Sequence, residues 1–159
     1  MVKIHMLENY KNPKWKPHKK WGAEKLYYLS HNLFNMKFKR ISYIIKYLNM
    51  MIFRNFIPPE VKIGRRLDLP HGGFGVVMHK NTVIGDDAII FHNVTFANGG
   101  ARIGDRVYIG TGTVIVGEVK IGNDVVIGAN TVVNFDIPDG ATVVGQTGRI
   151  IKQKPSINE

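Results

Sequence analysis

Three histidines, His71, His79 and His92, lie near the middle of a 159-residue chain that contains no cysteine. Histidine is the side chain best suited to taking and returning a proton near neutral pH, because its ordinary pKa is about 6.5. The lack of cysteine removes a thiolate nucleophile, a cysteine-ligated zinc site and any disulfide framework. One chemistry open to such residues is general-base catalysis, in which an imidazole deprotonates an attacking hydroxyl. Whether the histidines act together depends on the elements that carry them.

Those elements follow a six-residue beat. Its starts are Ile57, Ile63, Leu69, Met78, Ile84, Ile90, Phe96, Ile103, Ile109, Ile115, Ile121, Ile127 and Val133. A glycine often comes next, as in Ile63-Gly64, Ile84-Gly85, Ile103-Gly104 and Ile121-Gly122. A fixed short period signals a solenoid whose repeats bury their apolar face only by stacking. An amphipathic helix, with period 3.6, and a half-buried strand, with period 2, would each give a different pattern. The repeat-start residue is expected inside a narrow core, with the glycine easing a tight corner.

Register then sorts the histidines. His71 is third in the hexad beginning at Leu69, and His92 is third in the hexad beginning at Ile90. If three hexads close one coil, the two starts lie one coil apart, once the nine-residue step from Leu69 to Met78 is allowed for. The two imidazoles are therefore expected on one face of adjacent coils, about 4.8 Å apart in backbone. Thr111 and Ala129 continue that column. His79 is second in its hexad and is expected to face solvent.

Charge divides the chain. Residues 1–56 hold twelve Lys and Arg against Glu8 and Glu24, and the remainder balances at ten of each sign. The whole net charge of +10 therefore resides before the solenoid. Three parts are expected: a basic N-terminal arm with helices over 1–56, the solenoid over 57–138, and an exit segment over 139–159. Pro13 and Pro17 oppose an early helix. From Trp21, the residues Leu26, Tyr27, Leu29, Leu33 and Phe34 suggest one apolar helical face, and Ile41, Ile44, Ile45, Leu48, Met51, Ile52 and Phe53 a second. The second run is shorter than the ~20 residues a membrane span needs. It is compatible with peripheral contact at a membrane surface, but packing on the solenoid end or on a neighbouring subunit is the preferred expectation. No nucleic-acid motif is present and no nucleic-acid partner is expected. With no secretory signal visible, a cytoplasmic location is expected.

The hexad pattern over 57 to about 150 resembles the hexapeptide-repeat acyltransferases, which wind an all-β left-handed parallel β-helix. The stretches Pro59-Glu60-Val61-Lys62-Ile63-Gly64, Leu69-Pro70-His71-Gly72 and Val83-Ile84-Gly85-Asp86-Asp87 are similar to the serine acetyltransferase branch and its polysaccharide-cluster relatives. The resemblance implies His71 as general base, with His92 orienting the acceptor or serving as base itself. It implies acetyl-CoA as co-substrate and no metal; the histidine gaps of 8 and 13 also depart from the His-x4-His pair of γ-type carbonic anhydrases. The stretches Ile109-Gly110-Thr111-Gly112-Thr113 and Ile127-Gly128-Ala129-Asn130 resemble that family's acetyl-CoA groove. Gly110, Thr111, Gly112, Thr113 and Ala129 are thereby implied in cofactor binding, with Arg149, Lys152 and Lys154 meeting the phosphates. A homotrimer is implied, with sites shared between subunits and with Phe91, Phe96 and Tyr108 as candidate interface aromatics.

Departures from serine acetyltransferases are specific. Pro70 replaces the Asp before the histidine, Phe56 falls where an orienting Asp belongs, and the short Asn98-Gly99-Gly100-Ala101 turn replaces a loop bearing an Arg-His pair. The groups that grip an amino acid are thus missing. The resemblance shifts toward capsule and exopolysaccharide acetyltransferases of the colanic acid type, which also carry a short basic helical N-terminus. Their acceptor is typically a sugar hydroxyl. Serine O-acetylation, N-acetylation of an amino sugar and a non-enzymatic solenoid are the alternatives.

Overall fold

In a computed structural model, which describes residues 22–145, the six-residue beat becomes a parallel β-helix of about four coils. Each coil places two-residue strands on three faces. Face A carries Lys62–Ile63, Val83–Ile84, Arg102–Ile103 and Lys120–Ile121. Face B carries Ile89–Ile90, Tyr108–Ile109, Val126–Ile127 and Thr142–Val143. Face C carries Thr95–Phe96, Val114–Ile115 and Val132–Val133, continued by the bridges Phe56–Val77 and Val77–Thr95. The ladder thus runs from Phe56 to Val143, and every pairing in it is parallel.

The second residue of each pair points inward. Ile84, Ile90, Phe96, Ile109, Ile115, Ile127 and Val133 are all at most 2% exposed. They form one column of core, and each coil's apolar face is completed by its neighbours. The outward residues differ by face. Face A shows Lys62, Val83, Arg102 and Lys120, whereas face C shows Phe56, Val77, Thr95, Val114 and Val132, of which Phe56, Val77 and Val132 are exposed.

Glycine after face A is required by room rather than by dihedral angle. A Cβ on Gly85 would lie 2.7 Å from the carbonyl carbon of Gly104, and one on Gly104 would lie 2.7 Å from that of Gly122. The left-handed positions of this corner belong instead to Arg66, Asp87, Arg106 and Asp124. Beside the glycines runs a ladder of carboxyl and amide groups. Asp86 Oδ1 accepts from the Arg65 N–H at 2.8 Å, Asp105 Oδ1 from Asp86 N–H at 2.7 Å, and Asn123 Oδ1 from Asp105 N–H at 2.8 Å. Asp139 accepts from Asn123 in turn. Arg65, Arg66 and Arg106 pair with Asp86, Asp87 and Asp124 respectively. The Arg65 N–H and guanidinium hold the Asp86 carboxyl below its ordinary pKa.

Two helices, α1 (Ala23–Asn35) and α2 (Lys39–Phe53), precede the solenoid. The first coil has no coil beneath it, so its backbone groups need other partners. α1 supplies them. Tyr27 donates to Val61 O at 2.7 Å, Tyr28 to Gly64 O at 2.5 Å, and Glu24 Oε1 accepts from Leu69 N–H at 2.9 Å. Burial pushes the Tyr27 hydroxyl pKa well up, so it stays a donor.

Only part of the apolar run on α2 packs on the solenoid end, Phe53 against the core and Ile45 half-buried. The buried residues of α2 are Ser42, Lys46 and Asn49, whereas Ile41, Ile44, Leu48, Met51 and Ile52 are 47–73% exposed. On α1, Tyr27 is buried as the spacing suggests, but Ala23, Glu24 and Ser30 accompany it and Leu29 faces out. The reason is hydrogen bonding. Ser30 donates to Ser42 O at 2.9 Å and Ser42 to Ser30 O at 2.7 Å, letting the helices cross closely. Asn49 Nδ2 donates to Ala23 O at 3.0 Å, and Asn49 Oδ1 accepts from Asn55 Nδ2 at 3.2 Å. Among the described residues no helix is long and apolar enough to cross a membrane.

Gly104→Ala should lower stability by about 3 kcal/mol, because the new methyl overpacks two coils. Gly117→Ala, where φ is +86° but nothing lies within 4 Å, should cost only about 1 kcal/mol of left-handed strain. Denaturant unfolding of both variants checks the difference; equal losses would show that coil spacing is not the constraint.

Candidate active site

The corner between faces B and C holds the histidine pair. The His71 and His92 ring centroids are 5.2 Å apart and nearly perpendicular, at 86°. Phe91 adds an edge contact to His71 at 6.2 Å and meets Tyr108 at 5.2 Å with the rings tilted by 56°. His92 Nδ1 lies 3.5 Å from Thr111 Oγ1, one coil further on. His71 is exposed and His92 half-buried.

The route to this pairing differs from simple register. Asn93 N–H donates to Phe74 O, Gly112 N–H to His92 O, and Asn130 N–H to Thr111 O. The backbone column is therefore Phe74, His92, Thr111 and Ala129, and Phe74 occupies the place expected for His71. His71 sits instead in the three extra residues of the first coil, within the tight turn Pro70–Gly73. Its backbone is left-handed, with φ 59° and ψ 26°, and Gly72 follows at φ 73°. A non-glycine residue held there costs about 1–2 kcal/mol, and such strain collects at functional sites. The turn is clamped from beneath. A Cβ on Gly72 would lie 3.1 Å from the Phe53 ring at the end of α2, and one on Gly73 would lie 2.9 Å from Leu69. Phe53, Phe74 and Phe91 thus shape the site; the nine-residue step at Leu69 was the one signal in the sequence that could have revealed them.

The residues implied in cofactor binding divide into two groups. Thr111 is half-buried and Ala129 exposed, both on the outer corner. Thr113 is instead fully buried, its hydroxyl donating to Gly128 O at 3.1 Å, so its side chain is turned away from any groove. Gly110 and Gly112 are spacers. A Cβ on Gly110 would lie 2.6 Å from Ala129 N, and one on Gly112, at φ +70°, 2.3 Å from Asn130 Oδ1. Arg149, Lys152 and Lys154 fall outside the described residues. Phe96, taken as a candidate interface aromatic, is 2% exposed and belongs to the core.

A second concave region opens on face C beside α2. This cavity of about 480 Å³ is lined by Tyr43, Lys46, Phe56, Glu60, His79 and Asn98, among others. Tyr43 donates to Glu60 Oε1, while Glu60 Oε2 is buried without a partner. The Lys46 ammonium lies 4.0 Å from the Phe56 ring centre and 4.1 Å from that of Tyr47, and burial lowers its pKa. His79 is half-buried, not fully solvent-facing, and accepts from Asn81 N–H at 3.3 Å. The hexad pattern does not foreshadow this cavity, because Tyr43 and Lys46 of α2 close one side of it against the solenoid residues.

Residues 100–134 match the family described as bacterial transferase hexapeptide (six repeats). A serine acetyltransferase of Helicobacter pylori is 39% identical over 132 residues, covering 79% of this chain and 77% of its own. An Escherichia coli protein assigned to colanic acid biosynthesis as an acetyltransferase is 44% identical over 100 residues, covering 59% of this chain and 61% of its own. Among solved structures, the serine acetyltransferase of Brucella abortus in complex with coenzyme A is 29% identical, with a TM-score of 0.75 over 87% of this chain and 58% of its own. That of Neisseria gonorrhoeae in complex with serine is 32% identical, with a TM-score of 0.74 over 82% and 56%. The chain spans a little over half the length of these two solved enzymes. It belongs to the hexapeptide-repeat acetyltransferases of the serine acetyltransferase kind, and its fold is the left-handed parallel β-helix.

Thr113→Val should lower stability by about 1 kcal/mol, the worth of one buried hydrogen bond, while leaving coenzyme A affinity unchanged. Thermal unfolding and calorimetric titration check this together; weaker coenzyme binding at an unchanged Tm would return Thr113 to the groove.

Proposed function

We propose that this chain transfers an acetyl group from acetyl-CoA to a saccharide hydroxyl in surface polysaccharide synthesis. The observation that carries the reading is the imidazole pair His71–His92 on an open corner, with the small side chains of Thr111 and Ala129 beyond it. His71, exposed and held at a strained backbone position, takes the proton from the acceptor hydroxyl as its oxygen attacks the acetyl carbonyl. A tetrahedral oxyanion forms and the thiolate of coenzyme A leaves, receiving the proton back from the imidazolium. His92 orients the acceptor. With Thr111 Oγ1 donating to its Nδ1, the Nε2–H of His92 donates to the oxygen of the acceptor hydroxyl. The corner column leaves room for a thioester arm along Thr111 and Ala129.

Saccharide specificity is supported by what occupies the amino-acid contacts of serine acetyltransferases. Phe56 and Pro70 supply no carboxylate, and the Asn98–Ala101 turn supplies no guanidinium. Phe56 contributes instead to a cavity with an aromatic floor and a free carboxylate oxygen. Aromatic faces and carboxylates suit the apolar and hydroxyl sides of a sugar ring. Serine is the second reading. The Helicobacter pylori relative favours it, through 77% coverage of that protein against 61% for the colanic acid relative.

A trimer closed about face C fits both readings. That face exposes Phe56, Val77 and Val132, whereas face A is charged. A three-fold contact joins unlike patches, so the histidine corner of one subunit would meet the far edge of face C, and its cavity, on the next.

Thiol release from acetyl-CoA should occur with sugar nucleotides or lipid-linked sugar mimics and not with L-serine, and the absence of cysteine removes protein background. His71→Ala should lower kcat at least about 100-fold. Release with serine alone would establish the second reading, and full activity in His71→Ala would remove His71 as base. Mixed trimers of His71→Ala and Ala129→Trp subunits should regain part of the activity lost in either alone; no recovery would place the whole site within one subunit.

A further inference from the structure

The outer side of α2 is the feature that neither the solenoid nor the site explains. Ile41, Ile44, Leu48, Met51 and Ile52 recur at helical spacing and form one stripe, each between 47% and 73% exposed. Met36 and Phe38, in the connection from α1, extend it at 64% and 52%. The opposite side is already committed, through Ser42, Lys46 and Asn49, to α1 and the first coil. The stripe cannot turn inward without breaking those hydrogen bonds. A contiguous apolar stripe of this kind marks a contact surface.

Charge selects the occupant. Residues 25–54 contain no Asp or Glu, and they carry Lys25, Lys37, Lys39, Arg40, Lys46 and Arg54. Of these only Lys46 is buried; Lys37, Lys39 and Arg40 stand exposed at the start of the stripe and Arg54 at its end. Residues 1–21 add six lysines against one Glu. A second copy docking here by two-fold symmetry would set cation against cation with no acid to offset them. An anionic lipid surface meets both features at once. The stripe enters the headgroup–acyl boundary and the flanking cations meet the lipid phosphates.

We propose that α2 is a peripheral membrane-docking helix, its stripe lying flat on an anionic bilayer with Lys37, Lys39, Arg40 and Arg54 at headgroup level. The proposal does not rest on the identity of the acceptor. The stripe lies close to the histidine turn, since the Phe53 ring at the end of α2 rests against Gly72. The histidine corner of the first two coils then sits near the membrane.

The test is co-sedimentation of the full chain with vesicles of phosphatidylcholine alone and of phosphatidylcholine with about one third phosphatidylglycerol. Binding is expected only to the anionic vesicles. Ile44→Glu combined with Met51→Glu should abolish it, with Tm unchanged because both residues are exposed. Lys37→Gln, Lys39→Gln and Arg40→Gln together should weaken it at least about tenfold, given roughly 1 kcal/mol per surface cation, without touching the stripe. No binding to either vesicle would overturn the proposal, as would binding that survives the paired glutamates. It would equally be overturned if sedimentation velocity showed self-association of the wild-type chain that the paired glutamates remove while vesicle binding is absent, which would assign the stripe to a second copy.

Discussion

The separation between successive coils, set by parallel backbone hydrogen bonds at about 4.8 Å, is the constraint from which the rest of this molecule follows. It leaves no room for a Cβ where one face-A corner rests on the next, hence Gly64, Gly85, Gly104 and Gly122. It lets Asp and Asn side chains reach one coil down to backbone N–H groups, hence the ladder from Asp86 to Asp139. It also creates an unsatisfied edge at the first coil, and Tyr27, Tyr28 and Glu24 of α1 supply the groups that edge lacks. A solenoid of identical coils would end in open strands; this one ends in phenols and a carboxylate.

A site needs a departure from that regularity. The nine-residue step between Leu69 and Met78 is the departure, and it makes the turn in which His71 is held at positive φ. The regular column alone would place Phe74 against His92 and leave a single imidazole on the corner. Three additional residues bring a second ring to 5.2 Å from the first. The clamp on that turn includes Phe53, the last residue of α2, so the helices that cap the solenoid also fix the geometry of its histidine pair.

How much of this was legible follows from the same physics. The core column could be read residue by residue from Ile57 to Val133, because an inward position repeated at the coil spacing admits only apolar side chains. The meeting of His71 and His92 was legible in outcome but not in route, since counting hexads cannot say on which side of an insertion the coil resumes. Thr113 is ambiguous in sequence for a related reason: a hydroxyl that satisfies the Gly128 carbonyl within the corner looks, in sequence, like one available to a ligand. The helices were least legible. Apolar periodicity finds the buried side only when burial is driven by apolar area. Here α1 and α2 meet through Ser30, Ser42 and Asn49, and the first coil asks for donors and acceptors.

The distribution of charge ties the two ends of the argument together. On the solenoid, Arg65, Arg66 and Arg106 are each matched by an Asp one coil away. Paired charges a few ångströms apart present little field beyond a Debye length, about 8 Å at physiological salt. The helical end has no such pairing over residues 25–54, because it has no acids there. The net positive charge of this chain therefore sits at one pole, before a remainder that balances at ten of each sign. That pole is the one whose α2 ends in Phe53, against the turn that carries His71. An anion attracted by this net charge is drawn toward the end of the solenoid that carries the histidine pair, not toward the distant coils.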